Sequence, residues 1–282
     1  MAQLFGKKTL VTTAIVLGVV LIVNIALLVA ANVRLSAVAS TPAASAAAPA
    51  TQAAPAAPVS LTIINKPDCP ECQNATVFRD ELAQIGVNFS QVRTVSYGSS
   101  QASSLISQYG ITKLPALVFS KDLSSYPNIV SAWSNIGTVA SDGSYLLQGA
   151  LPPYYDLQTN TVRGLVNVTY LNASSCPSCY DVTLHRQILR RFGMALSDER
   201  VVDISSPEGK ALVARYNISG APTILLTGDA GLYPRFSQAW QSVGTLEPDG
   251  TFVFRNLDVI GGTYLNLSSG KTVTPAPQNA TQ

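Results

Sequence analysis

All four cysteines of this 282-residue chain lie in two Cys-Pro-x-Cys pairs, Cys69-Pro70-Glu71-Cys72 and Cys176-Pro177-Ser178-Cys179. The pairs sit at the same point of an internal repeat. Cys176 minus Cys69 is 107, and the same offset links Tyr216 to Tyr109, Pro222 to Pro115, Trp240 to Trp133 and Gly250 to Gly143. A register that holds without insertion across these landmarks predicts two copies of one fold. With no cysteine left over for a separate structural bridge, sulfur chemistry is the use these residues point to.

The length suits about two domains; the offset maps 59–164 onto 166–271, and the domains are taken as 59–164 and 165–273. A domain of roughly 105 residues can bury more than about 60% of its unfolded surface around one core. The net charge of +2 is too small to argue for a nucleic-acid or acidic partner, and no nucleic acid is expected. With only 12% charged residues the surface leans on Ser, Thr, Asn and Gln, which suits an extracytoplasmic protein.

Residues 1–34 read separately. Leu10 to Val33 is an uncharged run of 24 residues, and spanning a bilayer takes about 20. Lys7 and Lys8 precede the run, and only Arg34 follows it closely. The positive-inside rule therefore predicts a cytoplasmic tip and an outward-facing remainder. A cleaved signal peptide is the rival, with Ala37-Val38-Ala39 as its cleavage site. Signal h-regions run only about 7–15 residues, which favours an uncleaved single-pass anchor. Either way the cysteines lie where disulfides persist. Residues 35–58 are almost wholly Ala, Pro, Ser and Thr and read as an extended tether; residues 274–282 read as a flexible tail. Seven Asn-x-Ser/Thr sequons follow the anchor, at Asn74, Asn88, Asn167, Asn172, Asn217, Asn266 and Asn279, and suggest a glycoprotein. Glycans on Asn74 or Asn172 would crowd the cysteines.

Val59 to Asn65 alternates and is β-branched, so it reads as a strand. The cysteines follow a short polar turn, and Val77, Phe78, Leu82 and Ile85 then recur at helical spacing up to Gly86. Asn88–Ser96 is expected as a strand, Ser99–Tyr109 as a helix and Ala116–Phe119 as a strand after Pro115. The second copy repeats the order: strand Leu165–Leu171, a helix opened by Cys176, strand Val201–Ile204, helix Pro207–Tyr216, Pro222, and strand Thr223–Leu226. This is an α/β pattern with crossover connections. Each copy closes with a Trp-containing segment and an Asp-Gly turn into a further strand, Tyr145–Leu147 or Phe252–Phe254.

A Cys-Pro-x-Cys after the first strand, with a Pro opening a strand 43 residues beyond the second Cys in both copies, resembles the thioredoxin/glutaredoxin superfamily. Two such units are similar to the tandem protein disulfide oxidoreductases of archaea and thermophiles. The resemblance covers 59–120 and 166–227 and implies two thioredoxin-like domains, each a central mixed sheet flanked by helices. It implies thiol–disulfide exchange with exported proteins, a separate redox partner that recharges the sites, and no cofactor or metal. Cys69 and Cys176 would be nucleophiles at helix N-termini, where unpaired N–H groups favour a thiolate. Cys72 and Cys179, more buried, would resolve the mixed disulfide, giving redox pairs Cys69–Cys72 and Cys176–Cys179. Pro115 and Pro222 would be cis-prolines, with Leu114 and Ala221 lining the substrate groove. Asp68 and Ser175 stand where thioredoxin proper has Trp. No acid occupies the position six residues before the first Cys, where Ile63 and Tyr170 stand.

The two sites are expected to differ. Glu71 beside Cys69 raises that thiol's pKa, whereas Ser178 can donate to a thiolate at Cys176. Other readings compete with this one. Two CxxC pairs can build a zinc site, but each pair lies in its own repeat. Haem needs His after the second Cys, and Gln73 and Tyr180 stand there. His185, the chain's one His, is expected on a solvated helix face, and Trp133 and Trp240 in the cores. A non-catalytic surface module with inert CxxC staples is the alternative to an enzyme, weakened because a four-residue loop gains little from a bridge.

Overall fold

The computed structural model describes residues 56–149 and 151–276. The expected anchor at 10–33 and most of the tether lie outside the described residues. Among the described residues, no helix is long and apolar enough to cross a membrane. They divide into two compact units, one of 56–149 with 155–160 and one of 151–154 with 161–276.

The first unit is organised by β1 (Val59–Asn65). Its side chains are buried on both faces, which requires helices above and below the sheet. Leu61 and Ile63 point into one core with Leu82, Phe119 and Trp133. Ile64 points into the other with Ala102, Val118 and Leu146. The helices that supply these covers are α1 (Ala75–Gln84), α2 (Ser100–Tyr109) and α3 (Pro127–Trp133). β2 (Phe89–Ser96) pairs parallel with β1, Ile63 opposite Thr94. Short β3 (Lys113–Leu114) precedes β4 (Ala116–Phe119), which pairs antiparallel with β1, Ile63 opposite Leu117. β5 (Thr138–Val139) and β6 (Tyr145–Gln148) complete a five-stranded sheet of order β2-β1-β4-β6-β5. β7 (Tyr154–Asp156) lays Tyr155 opposite Leu114 of β3.

The second unit begins with short β8 (Thr161–Arg163) leading into β9 (Leu165–Asn172). It continues through α4 (Leu184–Arg191), β10 (Ala195–Asp203), α5 (Pro207–Arg215), β11 (Gly220–Ala221) and β12 (Thr223–Gly228). Then come α6 (Pro234–Trp240), β13 (Gly244–Leu246) and β14 (Phe252–Phe254). β15 (Tyr264–Asn266) and β16 (Lys271–Val273) form a small sheet with β11. The main sheet has order β10-β9-β12-β14-β13, strand for strand the order of the first unit. Both units are mixed α/β, compatible with tandem thioredoxin-like domains.

The 107-residue offset also relates individual hydrogen bonds. Ser99 and Ser206 cap α2 and α5, each hydroxyl accepting the N–H three residues on. Tyr109 and Tyr216 donate to Asp142 and Asp249, at 3.0 and 2.9 Å, tying the second helix of each unit to its Asp-Gly turn. Trp133 and Trp240 are buried, and their indole N–H groups donate to the Thr138 and Thr245 carbonyls.

Some elements differ from expectation. β10 starts six residues earlier than its apolar run at Val201. Its polar first half pairs in parallel with β9, and Glu199 is held there by the Tyr170 hydroxyl and the Arg186 guanidinium, each at 2.6 Å. His185 is 2% exposed and belongs to the interior, correcting its expected place on a solvated face.

Candidate functional site

Each cysteine pair occupies the turn between the central strand and the next helix. In the first unit the chain leaves β1 at Asn65, and Cys69 N–H donates to the Lys66 carbonyl; Cys72 N–H then donates to the Cys69 carbonyl. The second unit repeats this with Cys176 onto Ala173 and Cys179 onto Cys176. Both pairs are disulfides, Cys69–Cys72 and Cys176–Cys179, with Cα atoms 5.4 Å apart in each.

The expectation that the cysteines open the helices needs correcting. α1 begins three residues after Cys72, because the Asn74 side chain accepts the Thr76 N–H and sets the N-cap there. α4 begins five residues after Cys179. Tyr180 N–H is spent on the Thr263 carbonyl, and the Asp181 carboxylate accepts the Thr183 N–H. The macrodipole falls off within a turn of the helix end, so it acts weakly on these sulfurs. The order of burial is also reversed. Cys69 and Cys176 are each only 7% exposed, whereas Cys72 and Cys179 are half-buried. The Cys176 enclosure comes from Ala173 and Ala221, between the end of β9 and the start of β12.

Leu114–Pro115 and Ala221–Pro222 are cis peptide bonds, as is Pro152–Pro153, which the motif spacing did not single out. Pro115 lines an open groove of about 210 Å³ together with Ile63, Asn65, Lys66, Cys69 and Cys72. Leu114 and Ala221 are fully buried, so their side chains do not line a groove; Ala221 instead brings its carbonyl within 4.0 Å of the Cys179 sulfur.

The surroundings of the two disulfides differ. At the first, Lys66 forms a 2.7 Å ion pair with Asp68 and lies over Tyr155 and Tyr97, at 4.7 and 5.7 Å from the ring centroids. The Asp68 hydrogen bond raises the Lys66 pKa, and the Asp68 carboxyl is lowered by the same contact. At the second, the Ser178 hydroxyl lies 3.7 Å from the Cys176 sulfur. Tyr180, directly after Cys179, donates its hydroxyl proton to the Pro222 carbonyl at 2.7 Å. That proton is then committed, so His185 Nε2, 3.0 Å from the same oxygen, carries a hydrogen and donates to it. His185 packs its ring edge-on to Phe254, and burial lowers its pKa to about 4. Burial likewise raises the Tyr180 phenol. Gly262 allows this packing, since a Cβ there would come within 2.6 Å of Tyr180 Cβ. The equivalent positions of the first unit hold Gln73 and Phe78. Sequence reasoning missed this Tyr–His pair; its only sign was a Tyr after the motif and a His five residues on.

No protein-family model matches the chain, and no curated protein does. Among solved structures, an alkylhydroperoxide reductase component (AhpF, C503A mutant) of Enterococcus faecalis is similar at 18% identity and a TM-score of 0.19. The match covers 61% of this chain and 82% of that one. A likeness that slight carries nothing about fold or activity.

Proposed function

We propose that the chain is a thiol–disulfide oxidoreductase of thioredoxin-like fold, anchored in the membrane by its N-terminal segment and acting outside the cytoplasm on exported proteins. The observation that carries the reading is the pair of short-range disulfides, each in the turn after a central strand and each with one half-exposed cysteine. The first opens directly onto a groove. A bridge closing four residues gains little as a staple, whereas an accessible one can exchange. In the exchange a thiolate of a partner dithiol attacks one sulfur and breaks the S–S bond, and a mixed disulfide forms as the other cysteine leaves as a thiolate. The partner's second thiolate resolves it, so that the partner becomes a disulfide and the pair a dithiol. In the opposite direction a reduced pair attacks a partner disulfide, and its second cysteine resolves the mixed disulfide. Cys69, Cys72, Cys176 and Cys179 carry the chemistry, and Pro115 and Pro222 flank it. Reducing equivalents pass to or from a second redox protein.

The test is capture. Replacing one cysteine of a pair with Ser leaves a lone thiol whose mixed disulfides with exported proteins cannot resolve. Burial orders the yields: Cys69→Ser and Cys176→Ser, which keep the half-exposed Cys72 and Cys179, capture more than Cys72→Ser and Cys179→Ser. Negligible capture by all four variants, with the chain still folded, decides for a non-catalytic surface module.

A further inference from the structure

The proline carbonyl beside each disulfide is held differently in the two units. The Pro115 carbonyl accepts the backbone N–H of Gly149 at 3.3 Å. The repeat offset maps Gly149 onto Asn256, whose N–H goes instead to the Val243 carbonyl at 2.9 Å. In the second unit a side chain holds the Pro222 carbonyl: the Tyr180 hydroxyl, at 2.7 Å, with His185 Nε2 3.0 Å behind it. Tyr180 is fixed in turn. Its N–H donates to the Thr263 carbonyl at 2.9 Å, and a Cβ on Gly262 would come within 2.6 Å of its own Cβ. Because Tyr180 follows Cys179 and Pro222 follows Ala221, the phenol ties the redox turn to the segment packed against it.

That segment touches both sulfurs of the second disulfide. Ala221 packs with Ala173 against Cys176, and the Ala221 carbonyl oxygen lies 4.0 Å from the Cys179 sulfur. On the other side the Ser178 hydroxyl lies 3.7 Å from the Cys176 sulfur. A disulfide sulfur carries no hydrogen, so the hydroxyl is the donor. These contacts treat the two sulfurs unequally. Negative charge arriving on Cys176 meets a donor, whereas charge arriving on Cys179 meets a carbonyl oxygen. Access points the same way, since Cys176 is enclosed and Cys179 is half-buried. We propose that Tyr180 is a positioning residue: by pinning Ala221–Pro222 it makes Cys179 the sulfur that is attacked and Cys176 the leaving thiolate. This rests on the redox reading above and deepens it.

In the reducing direction a partner thiolate attacks the Cys179 sulfur, the Cys176–Cys179 bond breaks, and Cys176 keeps the bonding pair beside the Ser178 hydroxyl. A mixed disulfide then joins the partner to Cys179. The partner's second thiolate displaces Cys179 and the partner leaves as a disulfide, while the two protons of its thiols end on Cys176 and Cys179. Removing the Tyr180 hydroxyl unpins the Pro222 carbonyl. Ala221 then draws back, uncovering Cys176 and taking its carbonyl away from Cys179, so attack spreads to both sulfurs. The first pair needs no such phenol, because the backbone of Gly149 holds its proline carbonyl.

The experiment treats the oxidised full chain with limiting 2-mercaptoethanol, caps the released cysteine with iodoacetamide, and maps each adduct by peptide mass spectrometry. In the unsubstituted chain the second pair carries the mercaptoethanol on Cys179 and the cap on Cys176, in excess over the reverse. Tyr180→Phe lowers that ratio on the order of tenfold. The Cys72-to-Cys69 ratio of the first pair, read in the same digest, stays put. No preference for Cys179 in the unsubstituted chain, a ratio unmoved by Tyr180→Phe, or an equal shift at both pairs overturns the inference. The unsubstituted chain in enough urea to match the variant's stability keeps its ratio. If the ratio falls as far there, the phenol acts through stability alone and the inference is overturned. Gly262→Ala displaces the same ring and serves if Tyr180→Phe fails to fold; it lowers the ratio too, and an unmoved ratio overturns the inference. If neither pair forms an adduct, this inference and the oxidoreductase reading fall together, whereas a second pair that reacts at both sulfurs alike removes only the former.

Discussion

His185 makes the second unit acid-sensitive at a higher pH than that unit's lowered carboxylates do. The chain has one His. Buried against Phe254 and Tyr180, its pKa is lowered from 6.5 to about 4. Above pH 6.5 the imidazole is neutral in folded and unfolded chains, and it contributes no pH dependence. Between pH 6.5 and 4 the unfolded chain takes up a proton that the folded chain refuses, so stability falls as pH falls. At about 1.4 kcal/mol per pH unit, the loss between pH 7.5 and 4.5 is about 2.5 kcal/mol. The depressed carboxylates of this unit, Asp181, Glu199, Asp203, Asp229, Glu247 and Asp249, lose most of their contribution lower down. Asp249, for example, falls to about 2, so the two effects separate along the pH axis. The perturbation is His185→Phe, which installs the residue that the first unit carries at the equivalent Phe78. It removes the titrating group and one hydrogen bond, and at neutral pH costs about 1 kcal/mol. The assay is urea unfolding followed by Trp240 fluorescence in a Trp133→Phe background, at pH 7.5 and 4.5. With His185 present the second unit loses about 2.5 kcal/mol between the two pH values; with Phe it loses less than about 1. Equal losses in both proteins would refute the reasoning.

Tyr180→Phe keeps the ring and removes the hydroxyl, leaving the Pro222 carbonyl and the His185 N–H unpaired. It destabilises the second unit by about 2–3 kcal/mol while amide exchange in the first unit stays unchanged. Gly209→Ala ought to help α5 by about 1 kcal/mol on helix propensity alone, yet a Cβ there would lie 2.0 Å from the Asp203 carbonyl oxygen and 2.7 Å from Ile204 Cα. Its urea midpoint therefore drops, although the equivalent position of the first unit is a buried Ala102; an unchanged or raised midpoint would show that the Asp203–Ile204 backbone yields.

What the sequence determined by itself is what depends on local pattern and on repetition. The strand at Val59–Asn65, the helix expected at Ser99–Tyr109 and found at Ser100–Tyr109, and the Asp-Gly turns follow from periodicity and turn chemistry. The 107-residue offset carries them into the second copy without a structure. The Cys-Pro-x-Cys motifs marked where the chemistry had to be sought. Tertiary structure decided the rest, because each remaining feature depends on a partner distant in sequence or on competition for one donor. Helix α4 starts late because Tyr180 N–H goes to Thr263, 83 residues on. The polar half of β10 becomes a strand because β9 lies beside it and its Glu199 finds Tyr170 and Arg186. His185 is interior because Tyr180 and Phe254 close over it, which helix periodicity alone does not reveal. The relative burial of two cysteines three residues apart depends on which atoms the fold packs around that turn. A sequence names the donors and acceptors; only the packed chain decides which of them meet.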